Sequence, residues 1–220
     1  VTGTASGTDA YWNQSSQADF LKGSGKFTLV GTDGTVSLDR SDYDNFDDGS
    51  LDATRWKVSS SAGVSVSEGN GGLEISGTSQ SGTYGGAVGE VISTELSSPN
   101  ISANITKFTG SGNTYISTFG FYQDADNLVE LYIEHRGASY IESKTIVVKC
   151  QGGAWDFGAA GPFSNRPHNI RLEYVDGFAH TYLDGAWWGS QVVALSNYKC
   201  RITASPLYTG DSVDAIWDDV

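Results

Sequence analysis

Asn169-Ile-Arg-Leu-Glu-Tyr-Val-Asp-Gly-Phe-Ala-His-Thr-Tyr-Leu-Asp-Gly185 carries the clearest structural signal in the chain. Ile170, Leu172 and Tyr174 alternate with Arg171 and Glu173, the period-two pattern of a strand with one buried face. Val175-Asp-Gly-Phe178 and Leu183-Asp-Gly-Ala186 then set Asp-Gly between apolar flanks. Asp-Gly supplies the two positive-φ residues of a type I′ hairpin turn. The two turns predict a meander of three short strands.

The same alternation extends on both sides of this stretch. Leu73 and Ile75 form one inward set, and Ile101, Ala103 and Ile105 another. In Leu128 to His135 the inward residues are Val129, Leu131 and Ile133, leaving Glu130, Tyr132 and Glu134 on the opposite face. No long stretch keeps a helical period. The chain has 220 residues with 28 Gly and only 4 Pro, and its Ser and Thr content is high. Such a composition opposes long helices and suits short strands joined by tight turns. Aromatic residues at 12% argue for a folded chain despite the Gly and Ser content. The expectation is all-β, a two-sheet antiparallel sandwich of the jelly-roll kind spanning residues 41–220. Residues 1–40 read as an extended arm, with short strands at Phe27–Val30 and Thr35–Leu38 around Gly31-Thr-Asp-Gly34.

A net charge of −13, from 26 acidic and 13 basic residues, repels phosphate backbones and anionic membrane surfaces. No apolar run approaches the roughly 20 residues a membrane span needs. Nucleic acid and membrane insertion are therefore not expected. The chain has no Met and begins at Val1 without an apolar leader, as expected of a processed mature protein or a fragment of a longer one. An extracellular or cell-surface setting follows from this composition. Cys150 and Cys200, both in strand-like runs, would there form a disulfide, with two buried free thiols as the alternative.

Asn45-Phe-Asp-Asp-Gly-Ser-Leu-Asp-Ala-Thr-Arg-Trp-Lys-Val58 resembles the opening of concanavalin A-like lectin and glucanase domains, the laminin-G-like jelly rolls included. The likeness falls on Phe46, Ser50-Leu51-Asp52 and Trp56, the tryptophan that packs into the core in those domains. The strand-turn-strand run from Asn169 and the ending Ala215-Ile-Trp-Asp-Asp-Val220 are similar to the same superfamily. The superfamily holds lectins, adhesion domains and hydrolases, so the resemblance implies a fold and leaves the activity open.

Three constellations carry candidate chemistry. Glu130-Leu-Tyr-Ile-Glu134 resembles the Glu-x-Asp-x-Glu strand of laminarinase-like members, whose nucleophile and general acid stand at the two ends. Alternation puts Glu130 and Glu134 on one face, but Tyr132 occupies the place of the aspartate. Asp47 and Asp48 fall in an acidic turn, and Asp218 and Asp219 close the chain. In the resembled fold the first and last strands are neighbours, so these aspartates would meet and hold one structural Ca2+. Tyr84, Trp155, Trp187, Trp188 and Tyr208 lie near Gly-rich loops and would present ring faces to a glycan. Because Trp187 and Trp188 are adjacent, at most one of them points outward.

Asn13, Asn100 and Asn104 open glycosylation sequons, the last two on one outward strand face. The leading functional expectation is a non-catalytic extracellular module, glycan-binding or structural at a cell or particle surface. One alternative is a filament or surface-layer subunit, a homo-oligomer whose N-terminal arm adds as a strand to a neighbouring copy. The other is a glycoside hydrolase using Glu130 and Glu134.

Overall fold

The computed structural model describes residues 2–4, 26–30, 35–39, 44, 46, 48–69, 71–80, 87–96, 99–136, 143–150, 153–156 and 167–220. For the strands within 2–39 and 143–156 it describes the backbone alone. The first three strands are β1 (Thr2–Thr4), β2 (Lys26–Val30) and β3 (Thr35–Asp39). They form a sheet of their own in the order β1-β3-β2, so the arm's first strand pairs within its own chain.

The other fourteen strands make a sandwich of two seven-stranded antiparallel sheets. They are β4 (Trp56–Ser60), β5 (Val64–Gly69), β6 (Gly72–Thr78), β7 (Gly89–Ser93), β8 (Asn100–Ser111), β9 (Thr114–Asp124) and β10 (Asn127–Arg136). After these come β11 (Ser143–Cys150), β12 (Gly153–Asp156), β13 (His168–Val175), β14 (Phe178–Leu183), β15 (Ala186–Val192), β16 (Lys199–Pro206) and β17 (Ser212–Asp218). One sheet runs β12-β11-β10-β9-β16-β7-β4 and the other β15-β14-β13-β8-β17-β6-β5. Among the described residues no helix is long and apolar enough to cross a membrane.

The period-two reading holds in β6, β8, β10 and β13. Val129, Leu131 and Ile133 of β10 are fully buried against Leu73, Ile105, Ile170 and Leu172 from the facing sheet. Both Asp-Gly turns take the type I′ geometry, with φ of 51° and 82° at Asp176-Gly177 and 51° and 79° at Asp184-Gly185. Trp217 joins the layers: its ring stacks on Phe119 at 5.6 Å, and its Nε1 donates to Ser117 Oγ at 3.0 Å. Phe46 and Trp56 pack together 5.5 Å apart, both buried, and the Trp56 indole N–H donates to Asp44 Oδ2. The opening motif thus fills the core as the resemblance implies. Asp44 and Val220 exchange backbone hydrogen bonds of 2.6 and 2.8 Å, which sets the domain's first residues beside its last.

Asp211 shows how a turn is fastened. Its buried carboxylate accepts from the backbone N–H groups of Asn113, Thr114 and Tyr208 at 2.8, 3.0 and 3.2 Å, tying the β8–β9 turn to the β16–β17 turn. Asp211→Ala would strip three donors of their partner at once. We expect it to lower unfolding free energy by about 3 kcal/mol, measured by urea denaturation. A loss under about 0.5 kcal/mol would show that water replaces the carboxylate freely.

Candidate functional site

The candidate catalytic face is the outer side of the first sheet. On β10, side chains at Leu128, Glu130, Tyr132 and Glu134 point away from the core, because Val129, Leu131 and Ile133 take the inner positions. The expected carboxylate pair therefore does share a face. Its two members sit in different surroundings. The Glu134 side chain is 13% exposed, and its Oε1 meets Arg136 Nε at 2.7 Å. Glu130 has no exposed surface at all. A solvent-facing polar strand would not bury an outward carboxylate.

What holds Glu130 lies two strands away. In register, Glu130 stands opposite Gly120 of β9, and Gly120 stands opposite Arg201 of β16. Gly120 has no side chain to fill the lane between them. Arg201 reaches across it, and its Nη1 donates to Glu130 Oε1 at 2.9 Å. On its other side the same guanidinium donates from Nε to Glu90 Oε2 of β7 at 2.6 Å, and it lies 5.0 Å from the Tyr122 ring centroid. Thr118 and Thr203 fill the neighbouring outer positions with mutually bonded hydroxyls 2.8 Å apart. Glu130 Oε2 is buried and has no hydrogen-bond partner. Burial pushes the Glu130 carboxyl above the usual carboxylate range, and the Arg201 charge pulls the other way.

The site thus consists of one covered carboxylate gripped by a single oxygen and a second, better-exposed carboxylate four residues along the strand. Sequence reasoning missed Arg201, Glu90 and Gly120. The alternation of Cys200, Ile202 and Ala204 inward would have turned Arg201 and Thr203 outward. No sequence signal gives the register that lines Arg201 up with Glu130.

The other candidates lie elsewhere. Trp187 on β15, the edge of the second sheet, is 63% exposed, while Trp188 packs partly against the core. One of that pair does point outward, as the alternation requires. The Trp187 Nε1 donates to Ser190 Oγ at 3.2 Å, and that hydroxyl also meets His180 Nδ1 at 2.5 Å. Tyr208 sits in the β16–β17 turn, and Trp155 belongs to β12, the edge of the first sheet, with its side chain outside the described residues. Tyr84 also lies outside them. The described aromatics are therefore spread over an edge strand and a turn and do not form one platform.

Asp48 Oδ1 accepts from Ser50 N–H at 3.0 Å, Asp218 Oδ1 from Asp219 N–H at 2.8 Å, and Asp219 Oδ2 from Asn104 Nδ2 at 2.8 Å. Asp44 and Val220 do meet at the start and end of the sandwich, but among the described residues no three His, Cys, Asp or Glu side chains gather as a metal site. Asp47 lies outside the described residues, as does Asn13. Asn100 and Asn104 do share the outer face of β8. The Asn104 amide is engaged on both sides, since Asn169 Nδ2 donates to its Oδ1 at 3.0 Å.

The disulfide expectation is corrected. Cys200 is a free, buried thiol on β16, and burial drives its pKa well above the ordinary thiol range. Cys150 ends β11, which β10 and β9 separate from β16. Three strand spacings are about 14 Å, twice the Cα separation of roughly 7 Å that a disulfide can bridge.

This architecture is a two-sheet jelly roll, and solved structures share the fold. Solved structures define the likeness. The chain superposes on a β-glucanase from Bacillus licheniformis with a TM-score of 0.57 at 15% identity, over 80% of this chain and 95% of that one. The catalytic domain of an endo-1,3-β-glucanase (laminarinase) from Thermotoga petrophila gives 0.54 at 11% identity, covering 89% and 97%. A family 16 glycosyl hydrolase protein from Mycobacterium smegmatis gives 0.53 at 11%, covering 80% and 97%. No protein-family model and no curated sequence matches the chain. The leading expectation of a non-catalytic module is corrected here: the solved structures that share this fold include a β-glucanase and a laminarinase. They turn the functional reading toward the hydrolase alternative.

Proposed function

We propose that the protein is a glycoside hydrolase acting on a glycan of the β-glucan class, with Glu130 and Glu134 as its carboxylate pair. The observation that carries this reading is Glu130 Oε2, a buried carboxylate oxygen without a hydrogen-bond partner, on the same strand face as Glu134. Buried acceptors normally find donors, and an exception calls for an explanation such as chemistry. In the order of the strand motif that the segment resembles, Glu130 attacks and Glu134 gives the proton.

Attack by Oε2 forms a C–O bond to the anomeric carbon while the bond to the leaving oxygen breaks, and that oxygen takes the Glu134 proton. Glu134, now a carboxylate, draws a proton from water. The water oxygen then displaces Glu130 from the anomeric carbon and restores both groups. The Cα atoms of residues four apart on a strand are about 13 Å from one another, whereas a retaining pair works with carboxyl groups about 5–5.5 Å apart. Glu134 must therefore leave Arg136 and swing over Tyr132. The cost is small, since the Arg136 side chain is 59% exposed and such pairs contribute only about 0–1 kcal/mol. The sugar has to reach Oε2 on binding, because neighbouring residues cover Glu130. The acidic, Gly- and Ser-rich composition supports an extracellular or cell-surface setting for this activity.

Proton NMR of a soluble β-glucan digest tests the reading. The expected first product is the β-anomer, appearing before mutarotation. A first product of the α-anomer would rule out the covalent step at Glu130.

A further inference from the structure

We infer that Arg201 is a positioning residue for this reaction, holding Glu130 by Oε1 so that Oε2 alone faces the sugar. The inference rests on the hydrolase reading above and adds a group outside the strand motif. The guanidinium bridges two carboxylates, Nη1 to Glu130 Oε1 at 2.9 Å and Nε to Glu90 Oε2 at 2.6 Å. Two bonds from one planar group fix its orientation in a way a lysine ammonium cannot. The Tyr122 ring lies beside it at 5.0 Å. The lane it crosses is open because residue 120 is glycine, where a Cβ would meet Val129 O at 2.0 Å and Glu130 Cα at 2.6 Å.

Arginine engages carboxylates with two oxygens when it can. Here it takes one oxygen of each partner and leaves the second Glu130 oxygen unbonded. A bridge serving stability alone gains nothing from that arrangement. A nucleophile gains a fixed oxygen with no hydrogen bond to give up on attack. Among the described residues the charged groups facing Glu130 are Arg201 from β16 and Glu90 from β7, and the Thr118 hydroxyl of β9 also favours its charged form. From β9 it meets Gly120 in register, and from β11 Val147 stands opposite.

The test compares wild type, Arg201→Lys and Arg201→Met by pH–rate profiles on a soluble β-glucan. The Glu130 carboxyl is titrated in parallel by carbon-13 NMR, assigned from the signal missing in Glu130→Gln. With the guanidinium gone, the Glu130 midpoint is expected to rise by about one to three pH units. The acid limb of kcat/KM should rise with it. Arg201→Lys keeps a charge but not the fork, so a smaller rise in both is expected, and it serves should Arg201→Met not fold. A midpoint that rises while the acid limb stays put makes Arg201 a structural ion partner only and overturns the inference. So does a midpoint that does not move. No turnover by wild type at any pH sinks the hydrolase reading itself, a separate result.

Discussion

Arg201→Met is expected to lower unfolding free energy by about 3–5 kcal/mol at neutral pH, because it leaves the Glu130 charge buried without its partner. The pH dependence distinguishes this cause from simple loss of packing. Burial already raises the folded-state pKa of Glu130, and removing Arg201 takes away the largest influence opposing that rise. A carboxyl whose folded pKa exceeds its unfolded value favours the folded state most below the unfolded value, about 4.3. That favour disappears as pH climbs toward the folded value, at about 1.4 kcal/mol per pH unit. The variant should therefore lie close to wild type near pH 4 and fall away by pH 7.5 in urea denaturation. Glu130→Gln combined with Arg201→Met should recover most of the loss, since no charge is then left to bury. An equal penalty at both pH values, or a double variant as weak as the single one, would mean that Glu130 does not depend on Arg201 for its charge.

Gly120→Val is the second large expectation. The backbone at 120 is not in a left-handed conformation, so the demand is for space alone. Any Cβ there would lie 2.0 Å from the Val129 carbonyl oxygen and 2.6 Å from Glu130 Cα, both backbone atoms of the paired strand. Strands β9 and β10 would have to part, and the added methyl groups would obstruct the lane through which Arg201 reaches Glu130. We expect a loss of about 3–5 kcal/mol or failure to fold. Gly120→Ala should cost less and still break the pair, visible as a shifted Glu130 titration. A fully stable Gly120→Val with Glu130 titrating as in wild type would show that the strands have slack at this point.

Much of this architecture is legible in the sequence because a strand repeats every two residues and a hairpin turn needs specific residues. Ile170-x-Leu172, Val129-x-Leu131-x-Ile133 and the two Asp-Gly pairs state their faces and turns locally. The shared face of Glu130 and Glu134 follows from the same alternation. Their environments do not. Glu130 meets a partner 71 residues further on and Arg201 one 111 residues back, contacts set by which strands become neighbours. Alternation shows the side a residue faces and says nothing of what stands opposite. The cysteines illustrate the same limit: both lie on strands as read, yet the sheet order puts two strands between them. Gly120 stands between Phe119 and Phe121 in the sequence. In the sheet it is the gap that lets a distant arginine through.

Reducing-end release from laminarin and a mixed-linkage β-glucan, by wild type, Glu130→Gln and Glu134→Gln side by side, tests the central claim most directly. The account predicts turnover by wild type and a loss of at least about a thousandfold in each variant, the scale on which removing a catalytic group acts. An aryl glucoside with a good leaving group should restore cleavage to Glu134→Gln, which lacks the proton donor, and not to Glu130→Gln, which lacks the nucleophile. Wild-type rates in a well-folded Glu130→Gln, or no release by wild type from either glucan, would contradict it.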